Sequence, residues 1–368
     1  MNTHNTLRIL LLLLEFPTWY RASHLSYGSQ LGLSAGLSAN GVEHLTITTA
    51  WFRRAQEICA GKRFDQVWIE IVHNDVDEAF LQWVATLAPV RIGLIGESLE
   101  YHPEEYATCS ELEGRKEKVE RRLKYVTHVL ACDEKDVDDL NARKLVRALW
   151  WPQAVPARFI CEREEAVERK CGVFSGSFYG ERANWLDYPE LQGLLVYQPS
   201  PEHATVYPFL FGKLHGAIRR FMRSGLPMNN GILSLYLNCL LYIRRQCFAL
   251  WLKGMRKGCA VVNLPHFVKT YPGRIVEGMA ASRPVISWEI PDRPQNRALF
   301  EDGKEILVYP GNDPMQLASQ IERVISDRDL ARRITTNARR KLRRFHTIER
   351  RIRQILDWVA TGDTPIYF

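Results

Sequence analysis

The stretch GCAVVNLPHFVKTYPGRIVEGMAASRPVISWE, residues 258–289, decides the fold. An apolar run ends near Asn263, a loop follows, Pro272 and Gly273 open a helix, and a second apolar run ends in Glu289. A strand, a helix and another strand in this order predict a βαβ unit with parallel strands. The first amide groups of such a helix lack intrahelical partners, so they attract anions.

Strand-forming runs alternate with helical segments on both sides of this unit, which predicts an α/β protein with parallel sheets. In the first half of the chain the predicted strands lie near 7–15, 39–50, 64–73, 88–98 and 127–134, with helices at 26–40 and, as one long charged helix, at 104–125. In the second half they lie at CGVF (171–174), GLLVYQP (193–199), GCAVVNLPH (258–266), RPVISWEI (283–290) and KEILVYP (304–310). Parallel sheets bind ligands at the carboxyl ends of their strands.

The segment LWWPQAVPARFI, residues 149–160, separates the two alternations and contains two prolines. Prolines interrupt helices and strands, and domain boundaries fall in such segments. We therefore expect two α/β domains joined by a short hinge, with a ligand cleft between them.

Composition is that of an ordinary globular chain, with 368 residues, 46% hydrophobic and 25% charged. The run LRILLLLLEF (7–16) soon meets Glu15 and lacks a small-residue cleavage site, so a buried parallel strand explains it better than a signal peptide. GILSLYLNCLLYI (231–243) is too short to span a bilayer and predicts a core helix. Eight cysteines without a C-x-x-C pair favour buried thiols over disulfides or zinc. These features predict a cytoplasmic protein.

The net charge of +7 permits acidic partners but selects none. The segment 323–353 concentrates this charge, with twelve Lys or Arg residues against three acids. A basic helical face with so few acids predicts contact with lipid head groups, at the inner face of a membrane, or with polyphosphate. Nucleic acid is disfavoured because no recognisable module is present.

The loop and helix start between 264 and 277 could hold a phosphorylated ligand. His266, Lys269 and Arg274 lie close together in sequence, and cations clamp phosphate oxygens. Glu277 lies one turn inside the helix, where it could accept hydrogen bonds from paired sugar hydroxyls. The alternative is a turn glycine at 273, a solvated arginine and a glutamate that stabilises the helix dipole. Physical arguments from these residues alone favour neither the ligand site nor the plain helix start.

A candidate general base comes from GLIGESLEYHPEEY, residues 93–106, where Glu97 follows the carboxyl end of a predicted strand. A solvated acidic loop is the favoured alternative. Trp19 and Tyr20 could stack on a sugar face, or simply pack. The acidic runs at 75–77 and 136–139 lie where helices begin, so we interpret them as structural rather than metal-binding.

The segment 258–345 resembles the second domain of GT-B glycosyltransferases, in particular the group-1 family and its spore-maturation-type relatives. The resemblance rests on GRIVEGMAASRPVIS (273–287) followed by LFEDGKEILVYPGNDPMQLASQIERVISDRDLARRITTNARRKL (299–342). VLACDEKDVDDL (129–140) and WWPQAV (150–155) also resemble the end of the first domain of these enzymes. The N-terminal half is similar only in its alternation.

This resemblance implies two Rossmann-like domains facing across a cleft, with an acceptor domain at 1–150, a nucleotide-sugar domain at 151–345 and a returning helix at 346–368. It implies sugar transfer from a nucleotide-sugar donor to a hydroxyl of a glycan, a lipid-linked molecule or a protein, with no metal and no further cofactor. It implies that Glu277 binds the donor ribose, and that the diphosphate and sugar lie along two loops containing His266, Lys269, Gly273, Arg274, Ser177, Tyr179 and Arg182.

One position departs from the family pattern. Many group-1 members carry an acid eight residues before the glutamate, where this chain has Lys269. A lysine suits a phosphate or a carboxylate-bearing sugar better than a neutral hydroxyl. Two other functions remain open, a nucleotide-sugar epimerase of the same architecture and a non-enzymatic protein that binds anionic surfaces.

Overall fold

The computed structural model describes residues 7–15, 30–73, 76–108, 112–162, 166–178 and 180–368. Its strands are β1 (Arg8–Leu13), β2 (Glu43–Thr48), β3 (Gln66–Glu70), β4 (Val90–Ile95), β5 (His128–Ala131), β6 (Arg147–Trp150), β7 (Gly172–Phe174), β8 (Leu195–Tyr197), β9 (Ala260–Asn263), β10 (Val285–Trp288) and β11 (Leu307–Tyr309). They form an N-terminal sheet of order β2-β1-β3-β4-β5-β6 and a C-terminal sheet of order β11-β10-β9-β7-β8. All pairings between these strands are parallel, so the predicted pair of parallel α/β sheets is confirmed.

Helices connect the strands on both faces of the sheets. They are α1 (Gln30–Ala39), α2 (Ala55–Cys59), α3 (Glu78–Val84), α4 (Pro103–Thr108), α5 (Arg115–Arg122), α6 (Glu134–Ala142), α7 (Tyr207–Arg223), α8 (Asn230–Met255), α9 (Gly273–Ala280), α10 (Pro294–Ala298), α11 (Pro314–Ser326), α12 (Arg328–Phe345) and α13 (Ile348–Thr361). Short 3-10 turns fill several of the connections.

Strand β1 lies inside the N-terminal sheet, because Ile9 pairs with His44 on one side and with Gln66 on the other. The side chains from Ile9 to Leu14 are at most 1% exposed. A strand covered on both faces needs a continuous apolar run rather than alternation, which explains the leucine run at the start of the chain. The predicted buried strand is therefore confirmed.

Helix α8 contains the second long apolar run and is a core helix, as predicted. Its Tyr236 lies 3.3 Å from the Thr48 hydroxyl at the end of β2, and its buried Arg244 donates to Glu15 just after β1. The helix therefore connects the C-terminal half of the chain to the carboxyl ends of the N-terminal strands. No helix in the described part of the chain is long and apolar enough to cross a membrane.

The sequence-based prediction was wrong in two places. The single helix predicted at 104–125 is instead α4 and α5, and Gly114 precedes α5 in a left-handed conformation with φ of 67°, which a continuing helix cannot accommodate. Strand β6 was missed, and it occupies the first residues of the segment interpreted as a hinge. Ala148, for example, pairs with Val129 of β5, so the apolar run before Pro152 completes the N-terminal sheet.

The last helix, α13, packs against α1 of the N-terminal half. A Cβ atom on Gly36 would lie 2.6 Å from side-chain atoms of both Ile348 and Ile352, so the two helices touch where α1 has no side chain. The Asn40 side chain also donates to the Glu349 carbonyl oxygen at 2.8 Å.

Polar contacts also connect the start of α6 to the loop before α10. Asp133 accepts two hydrogen bonds from the Arg293 guanidinium, at 2.5 and 2.9 Å, and both side chains are buried. Glu134 accepts from the backbone N–H of Asn296 at 2.5 Å. These contacts join the carboxyl end of β5 to the segment after β10, so they fix how the two sheets face each other.

Candidate active site

Arg274 is the centre of a cationic site at the carboxyl end of the C-terminal sheet. Its guanidinium donates to the Ser175 carbonyl oxygen after β7 and to Asn263 Oδ1 at 2.9 Å at the end of β9. It also lies 4.8 Å above the Phe174 ring. The side chain is 9% exposed, so the alternative of a solvated arginine is wrong. Asn263 is held in turn by a hydrogen bond from its amide to Ser287 Oγ at 3.0 Å.

The charge of Arg274 is not neutralised by a salt bridge within the described residues. Burial lowers its pKa to about 10, and the neighbouring Glu277 opposes that shift. The group therefore stays a cation at neutral pH, with hydrogen bonds to neutral oxygens. A buried cation that forms no salt bridge with a described residue favours an anionic ligand.

Arg182 supplies a second guanidinium to the same place. It donates to the carbonyl oxygens of Pro265 at 3.0 Å and of Leu264 and Ser177 at 3.3 Å. Its guanidinium lies 5.6 Å from the Phe174 ring, which Arg274 also contacts. Two arginines therefore lie where the loop after β7 is beside the loop after β9.

Glu277 points back towards the start of α9. Its Oε2 accepts a hydrogen bond from the Trp251 indole N–H at 2.9 Å. A Cβ atom on Gly273 would lie 3.0 Å from its Oε1, so the carboxylate lies over the first turn of the helix. The glutamate and the helix amides are therefore close enough to contact neighbouring parts of one ligand.

His266 is a neutral imidazole beside these cations. Burial, followed by the charges of Arg182 and Arg274, lowers its pKa to about 2. Its Nδ1 accepts a hydrogen bond from the Val268 backbone N–H at 2.8 Å, so the ring proton is carried by Nε2. The neutral ring can donate one hydrogen bond at this edge of the site.

Lys269 is placed differently from the sequence-based hypothesis. Its ammonium forms a 2.8 Å salt bridge with Glu105 of α4, and its backbone N–H donates to Ser98 Oγ at 2.9 Å. The ammonium is therefore turned towards the N-terminal half of the chain. A contact between Lys269 and the donor stays a prediction, and it would require this salt bridge to rearrange.

Glu97 lies at the carboxyl end of β4, as predicted, and forms a salt bridge with Arg115. Its carboxylate is already engaged by this guanidinium, so the structure adds no support for Glu97 as a general base. Tyr179, Trp19 and Tyr20 lie outside the described residues.

Both acidic runs lie at the starts of helices. Asp77 Oδ1 caps α3 by accepting from the Phe80 N–H at 2.7 Å, and Asp136 lies in the first turn of α6, which the neighbouring Asp133 caps by accepting from the Lys135 N–H. Among the described residues, no group of three or more His, Cys, Asp or Glu side chains could hold a metal ion.

Sequence reasoning missed several residues of the site. Trp251 lies far from the loop in sequence and approaches Glu277 only because α8 packs against α9. Asn263 was identified as a strand end but not as the group that orients Arg274. Ser175 is 1% exposed, and its hydroxyl has no hydrogen-bond partner among the described residues. Polar residues directly after apolar strands were the available signal.

Gly176 provides the space that Arg274 needs. A Cβ atom there would lie 1.9 Å from Arg274 Nη2, and the residue has φ of 148°, which side chains rarely adopt. We expect Gly176→Ala to displace the guanidinium and to weaken binding of a phosphorylated ligand about tenfold, since such strain costs on the order of 1–3 kcal/mol. Gly212→Ala is the matched control, because that glycine lies in α7 with open space around it. Equal affinities of both variants, measured by calorimetry, would contradict the role of Gly176.

Comparison with known proteins agrees with this description. Residues 251–357 match the model of a family described as glycosyl transferase-like. The match covers less than a third of the chain and includes α9 with Arg274 and Glu277. This match confirms the resemblance stated for the C-terminal part of the sequence. No curated protein sequence matches the chain.

Solved structures with the same fold match nearly the whole chain. Sucrose-phosphate synthase from Thermosynechococcus elongatus has a TM-score of 0.61 and 14% identity, with 96% of this chain and 99% of that one covered. An alpha-glucosyltransferase solved with UDP and a 13-mer DNA has a TM-score of 0.60 and 12% identity, with 97% and 100% covered. Anabaena HepE, solved with UDP and glucose, has a TM-score of 0.55 and 12% identity, with 96% and 100% covered. The chain thus has the GT-B architecture, two Rossmann-like α/β domains, as predicted.

Proposed function

We propose that this protein is a glycosyltransferase that moves a sugar from a nucleotide-sugar donor to an acceptor hydroxyl. The observation that carries the proposal is the cationic site at the carboxyl end of the C-terminal sheet. There Arg274 and Arg182 lie beside the start of α9 and Glu277 lies over its first turn. The family match and the UDP-containing structures of the same fold support this reading.

In this proposal the donor diphosphate lies against the first amides of α9 and the two guanidinium groups. Charge develops on the diphosphate as the bond to the sugar breaks, and cations fixed in advance stabilise that charge in the transition state. His266 donates from Nε2 at the same edge, and we assign further contacts with the donor to Ser177 and Tyr179, which follow β7 in the sequence. We assign charge neutralisation to these protein groups, so the proposal requires neither a metal nor a further cofactor.

Glu277 accepts hydrogen bonds from the ribose hydroxyls of the donor. The carboxylate is well suited because the Trp251 indole donates to its Oε2 and its Oε1 lies beside Gly273 at the helix start. The acceptor docks on the N-terminal half, with the carboxyl ends of its strands facing the cleft. In more detail, we propose that the donor carries a hexosyl group. The proposed acceptor is a glycan, a lipid-linked molecule or a protein.

The reaction can be distinguished from epimerisation by one incubation. UDP-sugars labelled in the sugar are tested first, because two structures of the same fold hold UDP. A transferase releases UDP faster when a mixture of candidate acceptors is added and leaves the configuration of the remaining donor unchanged. Formation of an epimeric donor without acceptor would instead show the alternative enzyme of this architecture. A panel of other nucleotide sugars follows if UDP-sugars remain intact.

Trp251 positions Glu277 and does not itself touch the ligand in this account. We expect Trp251→Phe to weaken UDP binding by about threefold to tenfold, the equivalent of one lost hydrogen bond. The loss should be larger for UDP than for 2′,3′-dideoxy-UDP, because only the former offers hydroxyls to Glu277. Trp358→Phe is the control, since both tryptophans are 4% exposed and Trp358 lies in α13. Equal losses for both nucleotides would indicate a merely structural role.

A further inference from the structure

A cavity lined by cationic side chains lies at the opposite edge of the C-terminal sheet. A cavity of about 470 Å³ opens beside Cys259 and Pro284, which directly precede β9 and β10. The strands are parallel, so this is the amino end of the sheet, whereas Arg274 and Glu277 lie at the carboxyl end. The cavity is therefore separate from the proposed donor site.

Cations surround this cavity. Lys170, Arg328 and Arg332 line it and are exposed, and none of them forms a salt bridge with a described residue. Arg283 lines it too, is 3% exposed, and donates to the backbone oxygens of Gly258 and others, which fixes its guanidinium in place. No carboxylate is among the described residues that line the cavity.

The remaining wall is mostly apolar. Val167, Pro284, Val324, Ile325 and Ala331 line it, and Val167 is 44% exposed at the surface. A small inorganic anion would leave this apolar surface in water. A ligand with a phosphate and an attached apolar part would cover both kinds of surface.

We propose that this cavity, lined by Lys170, Arg283, Arg328 and Arg332, binds the head group of an anionic phospholipid and places the protein on a membrane surface. The phosphate lies among the cations, and the adjoining glycerol and first acyl carbons lie on the apolar wall. Helix α12 carries further exposed arginines, and these add a less specific attraction to an anionic surface. This inference does not depend on the glycosyl transfer.

Two double variants of one helix test the site, measured by flotation with phosphatidylcholine vesicles that contain or lack phosphatidylglycerol. Arg328→Ala/Arg332→Ala removes two cations from the cavity, whereas Arg333→Ala/Arg340→Ala removes two exposed cations of α12 that do not line it. We expect the cavity variant to lose about tenfold or more of its binding to anionic vesicles because two cations of the cavity are removed, and the control to lose about threefold or less because its arginines do not line the cavity.

Three outcomes would overturn the proposal. Equal losses in both variants would show a diffuse charge effect without a site. Absence of wild-type binding to the anionic vesicles would exclude an anionic phospholipid as the ligand of the cavity. Competition by millimolar inorganic phosphate that abolishes vesicle binding would identify a site for soluble phosphate instead. Unchanged melting temperatures of both variants establish that the comparison concerns binding and not folding.

Discussion

Replacing Glu277 with alanine is expected to weaken UDP binding by about tenfold to a hundredfold. In the proposed complex this carboxylate accepts hydrogen bonds from the ribose hydroxyls, and hydrogen bonds to charged groups contribute about 1.5–3 kcal/mol. The change also removes the acceptor for the Trp251 indole, which is 2.9 Å away, so the variant tests the whole positioned pair. The measurement is isothermal calorimetry of wild type and variant at the same ionic strength.

Two further variants test whether the loss of UDP binding is specific to the carboxylate of Glu277. Glu277→Gln keeps the size and one acceptor oxygen, so its loss should be smaller than that of alanine. Glu322→Ala removes an exposed carboxylate of α11 and should bind UDP like wild type. The assigned role would be wrong if Glu277→Ala kept wild-type affinity, or if its affinities for UDP and 2′,3′-dideoxy-UDP fell by the same factor.

Asp133→Ala is expected to lower the free energy of unfolding by about 3–5 kcal/mol. Both partners of the Asp133–Arg293 pair are buried, at 1% and 5% exposure, so loss of the carboxylate leaves a buried guanidinium without its counter-charge. Burial lowers the pKa of Arg293, but the hydrogen bond and charge of Asp133, together with the charges of Asp136 and Glu134, more than offset it, so the pKa of this group is raised. Urea unfolding followed by tryptophan fluorescence measures the change.

A double variant tests whether the loss of stability comes from the unpaired charge of Arg293. The double variant Asp133→Ala/Arg293→Met removes both charges and should recover part of the lost stability. Arg297→Ala is the exposed comparison, since its 2.7 Å salt bridge with Glu289 is largely solvated and should contribute about 1 kcal/mol or less. A loss below about 1 kcal/mol for Asp133→Ala would mean that the contact does not hold the two sheets together.

The local pattern of apolar and polar residues in the sequence was sufficient to predict most of the fold. A long apolar run such as that of β1 indicates a buried strand, and Pro272 and Gly273 stand directly before a helical pattern. The helix predicted at 104–125 failed because its charge pattern continues through Gly114, whose left-handed backbone interrupts it. Strand β6 was missed because its four residues lie next to a proline and resemble a linker.

Within the candidate site, sequence predicted which groups lie near one another along the chain but not their partners. Arg274 and Glu277 were identified from the helix start, because the helix amides and the spacing are local features. Trp251 and Ser175 could not be identified, since their positions depend on how α8 and β7 pack in three dimensions. The direction of Lys269 was also unpredictable, because its partner Glu105 lies 164 residues earlier.

The central claim is that the carboxyl end of the C-terminal sheet binds the diphosphate and ribose of a nucleotide-sugar donor. Calorimetric titration of the wild-type protein with nucleoside diphosphates, each beside its own nucleoside, tests this claim most directly. The account predicts that at least one ribonucleoside diphosphate binds, and that its nucleoside binds at least about tenfold more weakly, because the nucleoside offers nothing to Arg182, Arg274 and the start of α9. Absence of binding by every diphosphate, or equal binding by the matching nucleoside, would contradict it.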